Sequence, residues 1–130
     1  MTAAQTVRAN GIDIRYADEG PKDAPAVVMS HSLSAELAMW EPQAAALRDR
    51  YRVIRYDTRG HGGSSAPEGP YTLDLLADDA IALMDALKLD KAHWVGLSMG
   101  GMIGQTLALK APERLRSLTL ADTSSGYPPE

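Results

Sequence analysis

Five residues, Gly96-Leu97-Ser98-Met99-Gly100, constrain this chain more than any other stretch. They spell G-x-S-x-G, and the flanks give the pattern its meaning. Residues 92–95, Ala-His-Trp-Val, form a short and largely apolar strand candidate, while residues 101–110 read as a helix. Strand, tight turn carrying serine, then helix is the setting in which this pattern becomes a nucleophile elbow. Such a turn forces the serine into a strained backbone and lifts its hydroxyl above a sheet, onto a helix N-terminus. The glycines let neighbouring strands and helices pass where a side chain would collide. The plain alternative is a glycine-rich turn whose serine merely caps the helix. The strand before and the helix after favour the elbow.

The remaining chain supplies a sheet for that elbow to stand on. Residues 6–9 and 12–16 each alternate with the period of a strand, and Asn10-Gly11 between them is a strong hairpin signal, because both residues tolerate positive φ. Residues 18–25 read as a loop by composition. Residues 26–29 are continuously apolar, as expected of a strand buried on both faces of a parallel sheet. Helical signals build through residues 40–47, with Pro42 suited to a first turn. Residues 52–56 form the next strand, with a loop from 57 to 64 at its end and a second loop-like stretch to Pro70.

Thr72 can then cap an amphipathic helix. Leu73, Leu76, Ala77, Ala80, Leu83, Met84 and Leu87 recur at spacings of three and four, while Asp74, Asp78, Asp79, Asp85 and Lys88 fall elsewhere as a solvated face. In the helix after the elbow, Gly100, Gly101, Gly104 and Ala108 share a flank that would sit close against the sheet. Ala111-Pro112-Glu113 ends it, residues 115–121 make a last strand, and residues 122–130 are a polar, proline-bearing loop. After the hairpin, strands and helices alternate, which predicts an α/β fold: a mostly parallel, doubly wound sheet with an N-terminal antiparallel hairpin. Ligands bind such sheets beyond the carboxyl ends of the strands. Residues 31–34, 57–64 and 96–100 all fall there.

Composition removes several classes of function. A net charge of −4 and a pI near 5.3 offer no basic field for nucleic acid or an anionic membrane. Cysteine is absent, so disulfides, thiolate catalysis and cysteine metal sites are excluded. No stretch approaches the ~20 apolar residues of a membrane span. The N-terminus lacks the basic and apolar regions of a signal peptide, which makes the cytoplasm the expected location. Neither a cofactor nor a metal is expected.

Three motifs together resemble the α/β-hydrolase superfamily: His31-Ser32-Leu33, Asp57-Thr58-Arg59-Gly60-His61-Gly62-Gly63-Ser64, and the elbow. Within it the wording is similar to 3-oxoadipate enol-lactonases, through Met39-Trp40-Glu41-Pro42-Gln43, Gly69-Pro70-Tyr71-Thr72 and Gly101-Met102-Ile103-Gly104-Gln105. The resemblance implies that Ser98 attacks an ester or lactone carbonyl and that water resolves the acyl-enzyme. It assigns the oxyanion donors to the backbone N–H groups of Met99 and Leu33. Ser34 stands where the family often has glycine. Trp40 and Met102 are candidates for an acyl pocket, with core packing an equal alternative.

The histidines receive supporting roles: His31 in holding the oxyanion loop, His61 in shaping its turn, and His93 in packing within the strand before the elbow. Asp57 and Arg59 are expected to pair and brace their loop. The family's triad runs serine, acid, histidine, yet no histidine follows Ser98. The later carboxylates are Glu113, Asp122 and Glu130, of which Asp122 is the tempting acid. Residues 1–130 are therefore expected to be one partial domain, ending about where a cap would begin and lacking the acid and base. The expected partners are a small ester or lactone and either further copies of the chain or a complementing C-terminal half. Two other functions stay open: an inert half-hydrolase serving as a binding or assembly module, and a related esterase or cofactor-free perhydrolase.

Overall fold

The computed structural model describes residues 4–124. Strands β1 (Gln5–Ala9) and β2 (Ile12–Glu19) form the expected hairpin, with Ala9 opposite Ile12 and Asn10 and Gly11 alone in the turn. Both turn residues have positive φ, 51° and 77°, as a two-residue turn matched to strand twist requires. The sheet continues with β3 (Ala26–Ser30), β4 (Arg52–Tyr56), β5 (Ala92–Leu97) and β6 (Leu115–Ala121), in the order β1-β2-β4-β3-β5-β6. β2 pairs antiparallel with β4, whereas β4, β3, β5 and β6 run parallel. A parallel sheet with an antiparallel hairpin on one side is what the alternation of elements predicts.

β2 runs further than its composition suggests. Asp18 and Glu19 read as loop residues, yet both lie in the strand and are buried. Arginines make this possible. Arg52 grips Asp18 with two hydrogen bonds of 3.0 and 2.7 Å, and Lys22 adds an ion pair at 2.8 Å. Glu19 receives Arg55 at 3.0 and 2.6 Å and Arg48 at 3.0 Å. Buried charge is tolerable when it is paired and hydrogen-bonded on this scale.

Helices cover the two faces unequally. A 3-10 turn (Leu37–Trp40) leads into α1 (Glu41–Leu47), and the two pack Trp40 and Ala44 respectively against Val27, Met29 and Val53. The opposite face carries α2 (Leu73–Ala86) and α3 (Met99–Lys110) over the larger core of Ile14, Val28, Ile54, Tyr56, Leu83, Trp94, Ile103 and Leu107. Thr72 caps α2 by accepting the Leu75 N–H at 3.0 Å. The glycine flank of α3 does bring that helix onto the sheet. A Cβ on Gly100 would lie 2.8 Å from the Cβ of Ser30, and one on Gly104 would lie 2.6 Å from the Trp94 ring.

α2 corrects one expectation. Asp79 is not part of a solvated face; it is 2% exposed and receives Arg59 at 2.8 and 2.9 Å and the Asn10 amide at 2.7 Å. The remaining aspartates keep to the surface, where Asp78 pairs with Lys110 at 3.0 Å and Asp85 with Arg114 at 2.8 Å. β6 is the last strand of the sheet, and Leu120 on it is exposed. Leu118 is better covered than an open edge implies, since it packs against the core beneath α3.

Candidate active site

Ser98 occupies the junction of β5 and α3, with φ 54° and ψ −112°. A residue with a Cβ rarely adopts that backbone, and it persists only where surrounding structure over-determines it. The surroundings do so here. The Ser98 N–H donates to the Ala121 carbonyl at 2.9 Å, and its own carbonyl accepts from Gly101, from Met102 and from the Thr123 hydroxyl. The hydroxyl of Ser98 makes no cap hydrogen bond to the helix it precedes. A serine whose purpose was capping would make that bond and would have an extended backbone. The geometry is that of an elbow.

Met99 opens α3, so its N–H has no partner within the helix and points out at the helix N-terminus. Leu33 arrives from the adjacent strand. β3 and β5 pair in parallel with Ser30 beside Gly96, so residues 31–34 and 97–99 leave the sheet at the same end, next to one another. The Leu33 side chain is 62% exposed, while Met99 is buried. Ser34 has φ 64°, the left-handed conformation for which glycine is the easier residue.

Around this end the loops are fastened by buried polar groups. The His31 ring is fully buried, and its Nε2 accepts the Thr58 N–H at 2.9 Å. Because Nε2 accepts, the ring proton sits on Nδ1 and is donated to the Ser32 carbonyl at 2.8 Å. Burial lowers the pKa of His31 below its ordinary 6.5, outweighing the bond to Ser32. His61 lies 5.1 Å away, ring to ring, with Nδ1 3.1 Å from the Arg59 carbonyl.

Asp57 and Arg59 do not pair with each other. Arg59 turns to Asp79 on α2, whereas Asp57 accepts the N–H groups of Leu37 (2.7 Å) and Gly63 (2.8 Å) and an ion pair from Arg15 (3.2 Å). Sequence spacing suggests the i, i+2 pair; the partners that win come from other elements. His93 is half-buried rather than packed inside, on the α1 side of the sheet, with Nδ1 2.7 Å from the Ser117 hydroxyl and its ring edge-on to Tyr51.

Trp40 is 6% exposed in the α1-side core, and Met102 is buried in the core on the other side. The Trp40 indole N–H has no hydrogen-bond partner among the described residues. Asp122 is exposed just after β6, with φ 45°. Glu113 lies in a 3-10 turn, and Glu130 is outside the described residues. Each of the three histidines is engaged as given above, and among the described residues none bonds Ser98. No group of three or more His, Asp or Glu residues suited to a metal ion occurs among the described residues. None of the described helices is long and apolar enough to cross a membrane.

Residues 25–130 match the family model described as the alpha/beta hydrolase fold. The chain belongs to this family. As an alpha/beta hydrolase it is 47% identical over 120 residues to 3-oxoadipate enol-lactonase 2 of Acinetobacter baylyi, covering 92% of this chain and 45% of that protein. Its structure superposes on the crystal structure of the enol-lactonase from Burkholderia xenovorans LB400 with a TM-score of 0.91 at 45% identity, over 93% of this chain and 47% of that one. Epoxide Hydrolase A from Mycobacterium thermoresistibile matches with a TM-score of 0.88 at 32% identity, over 92% of this chain and 39% of its own. The chain thus spans under half the length of these relatives. Relatives named for different activities share this architecture, so fold alone does not select among them.

Proposed function

We propose that this alpha/beta hydrolase chain carries the nucleophile and oxyanion donors of a serine hydrolase for carboxylic esters or lactones. The backbone of Ser98, at φ 54° and ψ −112° with an uncapped hydroxyl, is the observation that carries this reading. The Ser98 Oγ attacks the carbonyl carbon, forming an O–C bond while charge gathers on the carbonyl oxygen. The N–H groups of Met99 and Leu33 stabilise that charge; such donors each contribute about 3–4 kcal/mol to the transition state. The carbonyl then re-forms, the ring or alkoxy C–O bond breaks, and the leaving oxygen takes a proton. Water cleaves the acyl-enzyme and restores the serine. Identity to enol-lactonases supports a lactone as substrate, most specifically 3-oxoadipate enol-lactone.

Proton transfer at Ser98 requires a base, and no described histidine hydrogen-bonds to it. In this reading a complementing C-terminal half or another copy supplies the base and its acid. The same observation favours a second reading, an inert half-hydrolase that assembles without turnover. A chromogenic short-chain ester and an enol-lactone, offered to the purified chain and to Ser98→Ala, separate these readings. Turnover that disappears in Ser98→Ala supports the nucleophile; turnover surviving the substitution overturns it. Silence in both, with activity regained on adding a C-terminal half, identifies the missing base.

A further inference from the structure

The loop joining β3 to α1 is fastened at both ends to two consecutive residues at the end of β4. At its start, His31 takes the N–H of Thr58; at its far end, the N–H of Leu37 donates to Asp57 Oδ1 at 2.7 Å. Between these points run residues 32–36, which include exposed Leu33 and left-handed Ser34. Asp57 is the more heavily used anchor. It is fully buried, and its second oxygen accepts the Gly63 N–H at 2.8 Å and faces Arg15 at 3.2 Å. Gly62 leaves room for it: φ is 49°, and a Cβ there would fall 2.9 Å from Oδ1 and nearer still to Oδ2.

We propose that Asp57 is a positioning residue for the oxyanion pocket, fixing the course of the β3–α1 loop and thereby the aim of the Leu33 N–H. This rests on the reading of Ser98 and Leu33 given above. An oxyanion donor is effective only when it is held in place before the charge develops, and a 1 Å misplacement can cost roughly a hundredfold in rate. A carboxylate suits the task for a definite reason. Each of its oxygens faces a backbone N–H, one from the loop that carries Leu33 and one from the loop after β4. An amide has a single acceptor oxygen, so asparagine at 57 must set its NH2 against one of those two donors. Loop order is lost without loss of volume.

The test uses the purified 130-residue chain, a fluorophosphonate and amide hydrogen exchange. Ser98 Oγ displaces fluoride from phosphorus, the O–P bond forming as the P–F bond breaks and the serine proton passes to solvent. Asp57→Asn is expected to exchange at residues 33–37 at least about tenfold faster while α2 exchanges as before, and to phosphonylate about 10–100-fold more slowly. The 31P resonance of its adduct is expected to move toward that of the urea-unfolded adduct. Arg15→Met removes the ion pair to Asp57 and a longer, exposed one of 3.9 Å to Glu36 but neither N–H acceptor, and is expected to match the parent in all three readouts. Parental exchange and labelling in Asp57→Asn overturn the proposal, as does an Arg15→Met that reproduces the effect.

Should Asp57→Asn fail to fold by circular dichroism, Leu37→Pro removes the donor instead. Glu36 before it is already extended (φ −155°, ψ 179°) and Leu37 opens a helical turn, which are the backbone conditions proline needs. The same acceleration at residues 33–36 is expected, and its absence overturns the proposal. If the parent chain takes up no label, Ser98 lacks the base that would activate it, and exchange in the loop alone decides the role of Asp57.

Discussion

The hydroxyl of Thr123 donates a 2.6 Å hydrogen bond to the carbonyl oxygen of Ser98. With the Ser98 N–H bonded to Ala121, the end of β6 holds the elbow on both sides of its strained residue. Thr123→Val keeps the shape and deletes the bond. It is expected to lower stability by about 0.5–1.5 kcal/mol in urea unfolding, with Thr123→Ser nearer the parent. Equal midpoints for Val and the parent would show that β6 lends the elbow nothing.

Gly100 gives a harsher test of packing. The nearest atoms to a Cβ there belong to the backbone of Ser30, a β3 residue that is itself buried, so the neighbour cannot swing aside. Gly100→Ala is expected to destabilise by about 1–3 kcal/mol or more despite alanine's higher helix propensity. A gain in the denaturation midpoint would mean that α3 can lift off the sheet without cost.

Asp79 joins three elements, receiving Arg59 from the loop after β4 and Asn10 from the hairpin turn. Asp79→Ala strands a largely buried guanidinium. The expected loss is about 3–5 kcal/mol, the range for removing one member of a buried pair. Asp79→Ala,Arg59→Met should recover part of it, because the uncompensated charge is then gone. No recovery in this double variant would assign the loss to Asn10 or to packing.

His31 makes stability depend on pH. Burial lowers its pKa below 6.5, so the unfolded chain takes up this proton at a higher pH than the folded chain does. Wherever the unfolded state binds more protons, stability rises with pH. The contribution of His31 is therefore complete above about 6.5 and is lost as pH falls from there toward the folded pKa. Its charged surroundings are His61, Asp57 and Glu36; His61 adds to the lowering, whereas the two carboxylates oppose it. Melting temperatures followed from pH 7.5 to 5.5 should decline more steeply in the parent than in His31→Gln. Parallel curves would remove His31 as the titrating group.

The elements of this fold were legible where local chemistry decides them. Asn10-Gly11 dictates its turn, Thr72 its cap, and the apolar run 26–29 a strand buried on both faces. The partners of charged residues were not legible. Asp57 and Arg59 stand two apart in sequence, yet each prefers a residue brought in by the sheet: Arg15 lies across an antiparallel pair and Asp79 on the helix above. The same holds for Asp18 and Glu19, which look like loop until Arg52 and Arg55 of β4 and Arg48 just after α1 neutralise them. In the site, the motif located Ser98 and the parallel pairing of β3 with β5 explains why Leu33 shares its end of the sheet. Which side chains hold the loop carrying Leu33 depends on contacts 20 or more residues apart in the chain, which no spacing rule encodes.

The backbone of Ser98 also bears on how such a chain drifts under mutation. At φ 54° and ψ −112° a residue without a Cβ is at ease, whereas serine carries strain of order 1–3 kcal/mol. Replacing it by glycine is then expected to raise stability while ending any chemistry at this position. A population of such chains selected only for folding would slide toward the glycine. Persistence of serine there across generations would be the mark of selection for reaction rather than for structure.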